Sequence, residues 1–275
     1  MIVEIAGRTA YAYTASRGFD RARPTIVFVH GAANDHSVWA LQSRYFAHHG
    51  FNALAVDLPA HGRSEGTPLA SVEALADWLL AFQDSVGAAR AVLVGHSLGA
   101  LAVLEAAARA PSRVVHLALV GPAVPMPVSD ALLAAAKADD PAAYALINGW
   151  SFSAAKQLGN NRQPGVWMIG NSLRLMERTA PGVLYADLAA CHAYAGGLAA
   201  ARRVQCPSLL ILGARDLMAP PRSAADLAGA LQGSRTVTLQ DCGHAMMAEQ
   251  PDAVLDALIA ATTNFAVGAA GKQPV

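Results

Sequence analysis

The sequence predicts an α/β protein: a mainly parallel sheet of eight strands flanked by helices, with a helical insertion after the sixth strand. Short continuous apolar runs rich in β-branched residues, such as Thr25 to His30 and Val114 to Val120, suit strands covered on both faces. These runs alternate with segments of helical period, the order of an open parallel sheet. The strand pattern then stops at Gly121 and resumes only at Ser208.

In chain order, residues 2 to 5 and 9 to 14 alternate like a hairpin turning at Gly7. A strand over Thr25 to His30 precedes a helix over Val38 to His49 that Gly50 ends. Asn52 to Asp57 forms the next strand, followed by an amphipathic helix from Ser71, its cap, to Val86, with Gly87 as stop. A strand reaching Gly95, a helix closed by Pro111 and the strand Val114 to Val120 complete the first half. Between Gly121 and Arg203, helices are expected over 129–138, 142–150, 166–178 and 184–194. Strands at Ser208 to Gly213 and Arg235 to Leu239 follow, with helices over 223–231 and 251–264. The core is therefore assigned to residues 1–120 and 204–267, a helical lid to 121–203, and a frayed, disordered tail to 268–275.

A hydrophobic share of 54% against 15% charged residues places the chain among well-packed globular proteins. Basic and acidic residues balance at 20 each, without a basic patch interleaved with aromatics, so neither nucleic acid nor a membrane is expected as a partner. The N-terminus lacks the pattern of a signal peptide, which together with the absence of a long apolar run predicts a soluble, cytoplasmic protein. Cys191, Cys206 and Cys242 are odd in number and widely spaced, which argues against a disulfide framework or a zinc site. No Walker or dinucleotide glycine motif is present and His36, His48 and His49 follow no metal-ligand pattern, so no cofactor and no metal are expected. No feature of the sequence sets an oligomeric state.

The chemistry concentrates at Gly95-His96-Ser97-Leu98-Gly99, a G-x-S-x-G turn between a strand and a helix. Glycines on both sides let the strand and helix approach closely, and the serine is presented at the helix N-terminus, where free N–H groups favour a developing negative charge. Ser97 is thus a candidate nucleophile, with the Leu98 N–H as the nearest oxyanion donor. An activated serine needs a base and an acid that orients the base. Candidates are Asp216, in Gly213-Ala214-Arg215-Asp216 after one strand, and His244, in Asp241-Cys242-Gly243-His244 after the last.

These motifs and their order resemble the α/β-hydrolase fold family over nearly the whole chain apart from the insertion and tail. The resemblance implies a triad of Ser97, Asp216 and His244, with a second oxyanion donor, the Ala32 N–H, in the loop His30-Gly31-Ala32-Ala33. Some members carry the acid after the preceding strand, but here that position reads Gly121-Pro122-Ala123-Val124, which leaves Asp216. Asp241 and Glu249 are weaker candidates, being too near His244 in sequence to reach back to its imidazole. Asp57-Leu58-Pro59-Ala60-His61-Gly62-Arg63-Ser64 resembles the family's D-x-x-x-H-G-x-S loop, whose implied role is mostly architectural. Trp39, Trp150, Trp167 and Met246 are candidate pocket residues and favour an apolar substrate. The expectation is a serine hydrolase cleaving carboxylic esters of a small to medium apolar substrate through an acyl-enzyme. Alternatives with the same residues are C–C, lactone or amide hydrolysis or perhydrolysis, and a ligand receptor on the same fold.

Overall fold

The computed structural model describes residues 1–159 and 165–270. Eight strands form one sheet: β1 (Ile2–Ile5), β2 (Arg8–Tyr13), β3 (Thr25–Val29), β4 (Asn52–Val56), β5 (Ala91–His96), β6 (Val114–Val120), β7 (Ser208–Gly213) and β8 (Arg235–Leu239). Their order across the sheet is β1-β2-β4-β3-β5-β6-β7-β8. β1 and β2 pair antiparallel, β2 meets β4 antiparallel, and all later pairs are parallel.

The central strands are buried on both faces, and their alternation divides the core. Val27, Val29, Leu93 and Leu119 face α2 (Val72–Val86) and α3 (Leu98–Arg109). Ile26, Phe28, Val94 and Val120 face α1 (Ala40–His48) and the last helix. Helix α2 begins where Ser71 Oγ accepts the Ala74 N–H and ends at a left-handed Gly87, as the sequence pattern predicts.

Between β6 and β7 lie α4 (Asp130–Lys137), α5 (Pro141–Ser151), α6 (Ala154–Gln157), α7 (Met168–Met176), α8 (Val183–Ala193) and α9 (Gly197–Ala201). The short α6 and α9 are missed by periodicity, because four or five residues are too few to show a helical repeat. Leu132, Ile147, Met176 and Leu188 give this segment a small core of its own, and Ala33 of the loop after β3 is part of it. After β7 come α10 (Ala225–Ala230), α11 (Met246–Glu249) and α12 (Pro251–Ala270). Helix α12 runs past the stop expected near Asn264 and through 268–270 of the expected tail; 271–275 lie outside the described residues. Among the described residues no helix is long and apolar enough to cross a membrane.

Backbones approach closely at the β5–α3 turn. A Cβ at Gly95 would overlap the Gly99 carbonyl, and one at Gly99 would lie 2.5 Å from the His30 and Val29 oxygens. Backbone on the far side cannot yield to a methyl group, so Gly99→Ala is expected to destabilise the fold by about 3 kcal/mol, read as a lower urea midpoint with unchanged slope.

Candidate active site

Ser97 joins β5 to α3 with φ 53° and ψ −116°, a conformation a residue with a side chain adopts only when its surroundings hold it there. Its N–H donates to the Val120 carbonyl at 3.0 Å, and its carbonyl accepts the Ala100 and Leu101 N–H groups of the first turn of α3. Leu98 is the first residue of that helix, so its N–H belongs to the set without an intrahelical acceptor, while its side chain is fully buried. Ala32 lines the same cavity as Ser97.

The loops after β7 and β8 meet at the carboxyl edge of the sheet. His244 Nδ1 donates to Asp216 Oδ2 at 2.7 Å, and Asp216 Oδ1 accepts the Met218 and Ala219 N–H groups at 2.8 Å each. Burial alone would raise the Asp216 carboxyl pKa, but His244 and the two N–H groups outweigh it and hold the group below its ordinary value. The Nδ1–H tautomer leaves His244 Nε2 as the free acceptor, and that atom is buried without a hydrogen-bond partner. Ser97 and His244 line one cavity of about 1000 Å³. A Cβ at Gly121 would press within 3.0 Å of His244 Cε1, so the position in the loop after β6 that lacks a carboxylate must also stay small.

The two weaker acid candidates lie elsewhere. Asp241 is exposed and faces Arg215 at 3.7 Å. Glu249 is buried and accepts from Gly243 N at 2.9 Å, Ser153 N at 3.2 Å and Ser153 Oγ at 2.5 Å. Its carboxyl is raised by burial, against those hydrogen bonds. The Ala245 N–H donates to the Ser151 carbonyl, so the loop carrying His244 is tied to the helical segment on both sides of that residue.

Of the four expected pocket residues only Trp150 lines the cavity. Trp39 is wholly buried against Phe28, at 5.3 Å between ring centroids, and belongs to the core. Met246 is buried beneath the site, and its neighbour Met247 takes the lining position. Trp167 precedes α7, is 67% exposed and does not reach the cavity. Met126, Ile147, Phe152, Met176 and Met218 supply much of the apolar wall instead.

Asp35, His36 and Asp57 bring ligand-type atoms within 4.8 Å of one another, but these atoms already have partners. Asp57 Oδ1 accepts both the backbone N–H and Nδ1–H of His36, its Oδ2 accepts the Arg63 N–H, and Asp35 Oδ1 accepts the Ser37 N–H. Through Asp57 the cluster ties the loop after β3 to the loop after β4.

A sequence model described as "Alpha/beta hydrolase family" matches residues 26–257. The chain belongs to the alpha/beta hydrolase family. It is 33% identical over 253 residues to a pimeloyl-[acyl-carrier protein] methyl ester esterase of Aromatoleum aromaticum, covering 84% of this chain and 94% of that protein. A protein of the same name from Neisseria meningitidis serogroup C is 32% identical over 239 residues, covering 80% and 86%. The crystal structure of the enol-lactonase from Burkholderia xenovorans LB400 superposes with a TM-score of 0.84 at 24% identity, covering 96% of this chain and all (100%) of that one, and supports the fold. This alpha/beta hydrolase is accordingly an enzyme of the hydrolase class.

Three further histidines stand around the candidate site; the sequence places each in a motif but does not show the contacts it makes. His96 donates from Nε2 to the His244 carbonyl at 3.0 Å. His30 donates from Nδ1 to the Gly31 carbonyl at 2.8 Å, and its Nε2 accepts the Leu58 N–H at 3.1 Å. Burial lowers His96 to about 3 and His30 to about 4, helped by His244 beside the first and His61 beside the second.

The third, His61, donates from Nε2 to Asp187 Oδ2 at 2.9 Å and is raised, because Asp187 outweighs the effect of burial.

Unfolding lets His30 and His96 take up protons near pH 6.5, whereas the folded protein refuses them until pH about 4 and about 3. Acid therefore favours the unfolded state, by about 1.4 kcal/mol per pH unit for each ring across that window. Asp216 adds to this only below its ordinary value of 3.8, and Glu249, being raised, acts in the opposite sense above 4.5. Urea unfolding between pH 4.5 and 6.5 is expected to show stability rising with pH, and His96→Gln to make that rise shallower.

Proposed function

We propose that the chain is a serine hydrolase of carboxylic esters with an apolar acyl portion. The observation that carries the reading is the Asp216–His244 hydrogen bond, which leaves Nε2 without a partner on a residue that lines the same cavity as Ser97. Ser97 Oγ attacks the ester carbonyl carbon as His244 Nε2 takes its proton. The carbonyl oxygen, now an oxyanion, is received by the Ala32 and Leu98 N–H groups, by analogy with side-chain donors worth about 3 to 4 kcal/mol in other hydrolases. The imidazolium is stabilised by Asp216 and returns the proton to the leaving alkoxide as the carbon–oxygen bond breaks. Water, deprotonated by the same imidazole, then attacks the acyl-enzyme and frees the acid and Ser97.

The apolar wall supports an acyl chain rather than a sugar or phosphate in the cavity. The relatives named as methyl ester esterases support an ester over a lactone, amide or C–C bond. The helices between β6 and β7 act as a lid in this reading, since α5 and α7 supply much of the wall.

Hydrolysis of p-nitrophenyl and methyl esters of short to medium acids tests it. Ser97→Ala is expected to lower kcat by about 10⁶ and Asp216→Asn by about 10⁴, by analogy with serine proteases, with KM little changed. A fluorophosphonate should label the wild type and not Ser97→Ala. Wild-type turnover by Ser97→Ala would sink the proposal, and faster cleavage of matched lactones or β-diketones would move it to those bonds.

A further inference from the structure

We infer that Asp187, a carboxylate on α8 outside the candidate triad, is a positioning residue for the oxyanion hole: with a charged His61 it fixes the loop that carries the Ala32 N–H. The inference rests on the reading of Ala32 as an oxyanion donor.

Asp187 is 2% exposed, and its Oδ2 accepts two hydrogen bonds, from the Ala33 N–H and from His61 Nε2, both at 2.9 Å. Ala33 has φ 51°, a left-handed conformation that a residue with a Cβ keeps only if something holds it. The other His61 nitrogen, Nδ1, donates to the Pro59 carbonyl at 2.9 Å. Both ring nitrogens face oxygen acceptors alone, so both carry hydrogen and the ring is an imidazolium. A buried cation needs a buried counter-ion, and Asp187 is the carboxylate in contact with it. The other titratable groups facing His61 are Asp57, whose charge supports the cation, and His30, whose ring lies 4.9 Å away and is neutral.

His30 completes the arrangement. The Leu58 N–H occupies its Nε2, which leaves Nδ1–H to bind the Gly31 carbonyl. That carbonyl and the Ala32 N–H belong to one peptide group, so fixing the oxygen fixes the direction of the N–H. The loop is thereby held at successive peptides, by a neutral imidazole at Gly31 and by a carboxylate at Ala33. An oxyanion donor contributes only if it is already aimed before charge develops, which gives these two contacts a consequence for rate beyond stability.

The test uses the full chain with p-nitrophenyl butyrate, after circular dichroism has shown each variant folded. Asp187→Asn keeps an acceptor and loses the charge; Asp187→Ala loses both. From the strength of a charge-assisted hydrogen bond, kcat is expected to fall about tenfold in the first and about a hundredfold in the second, with KM within about twofold. Inactivation by a fluorophosphonate should slow in parallel, since its phosphoryl oxygen occupies the same hole. Nitrogen NMR of the imidazoles should show both His61 nitrogens protonated at pH 7 in the wild type and not in Asp187→Asn. A folded Asp187→Ala with wild-type kcat, or a loss confined to KM, overturns the assignment. Should Asp187→Ala fail to fold, Asp187→Asn decides, and unchanged kcat and inactivation rate overturn it. If Ser97→Ala is inactive and the Asp187 variants are normal, only this assignment falls; if Ser97→Ala keeps full turnover, the hydrolase reading falls instead.

Discussion

Contact between backbones at the end of β5 is the constraint on which the arrangement depends. With no side chain at Gly95 or Gly99, helix α3 lies directly against the β3 backbone, and the chain has room to reverse within one residue. That residue is Ser97, whose positive φ places its side chain on the cavity wall at the start of a helix. The same closeness sets Ser97 beside the loop after β3, so candidate nucleophile and candidate oxyanion donors come from a single crossing. A sheet with any side chain at this crossing would have to move α3 outward, and the helix N-terminus would leave the site with it.

Around that crossing, imidazoles serve as connectors with different charges. His30 and His96 are each a neutral ring that donates once to a carbonyl, and their burial keeps them so through ordinary pH. His61 is enclosed to a similar degree but carries charge, because oxygens face both of its nitrogens. Partners, more than burial, decide the protonation state of each ring. His244 has a carboxylate on one nitrogen and no hydrogen-bond partner on the other, the distribution that its proposed role as general base requires.

Much of this was legible in the sequence where a local rule governs it. Doubly covered strands read as apolar runs, a capped helix as Ser71 and Gly87, and the elbow as two glycines around a serine. Resemblance to the family's acid turn picks Asp216, closeness to His244 in sequence sets Asp241 and Glu249 aside, and the geometry brings Asp216 to His244. The cavity wall was not legible, because it depends on how the helices between β6 and β7 are rotated. Trp39 has the composition of a pocket residue, but the turn that carries it points into the core beside Phe28. Asp187 was hidden for a related reason: one acid on a helix reads as a solvated face unless its partner, 126 residues earlier in the chain, is known. A buried carboxylate flanked by Leu184 and Leu188 is the signal that was there to find.

Among the described residues, the helices between β6 and β7 meet the loops of the candidate site through a modest set of polar groups, including the Ser151 carbonyl and hydroxyl, Ser153, the Thr179 hydroxyl on the Ala33 carbonyl, and the Asp187 carboxylate. Most of what they show the cavity is apolar and interchangeable in kind. Such a division lets evolution treat the segment as an exchangeable mould. On the proposed reading, its wall can drift in size and shape toward a different acyl group while the polar anchors keep the candidate triad and oxyanion loops in register.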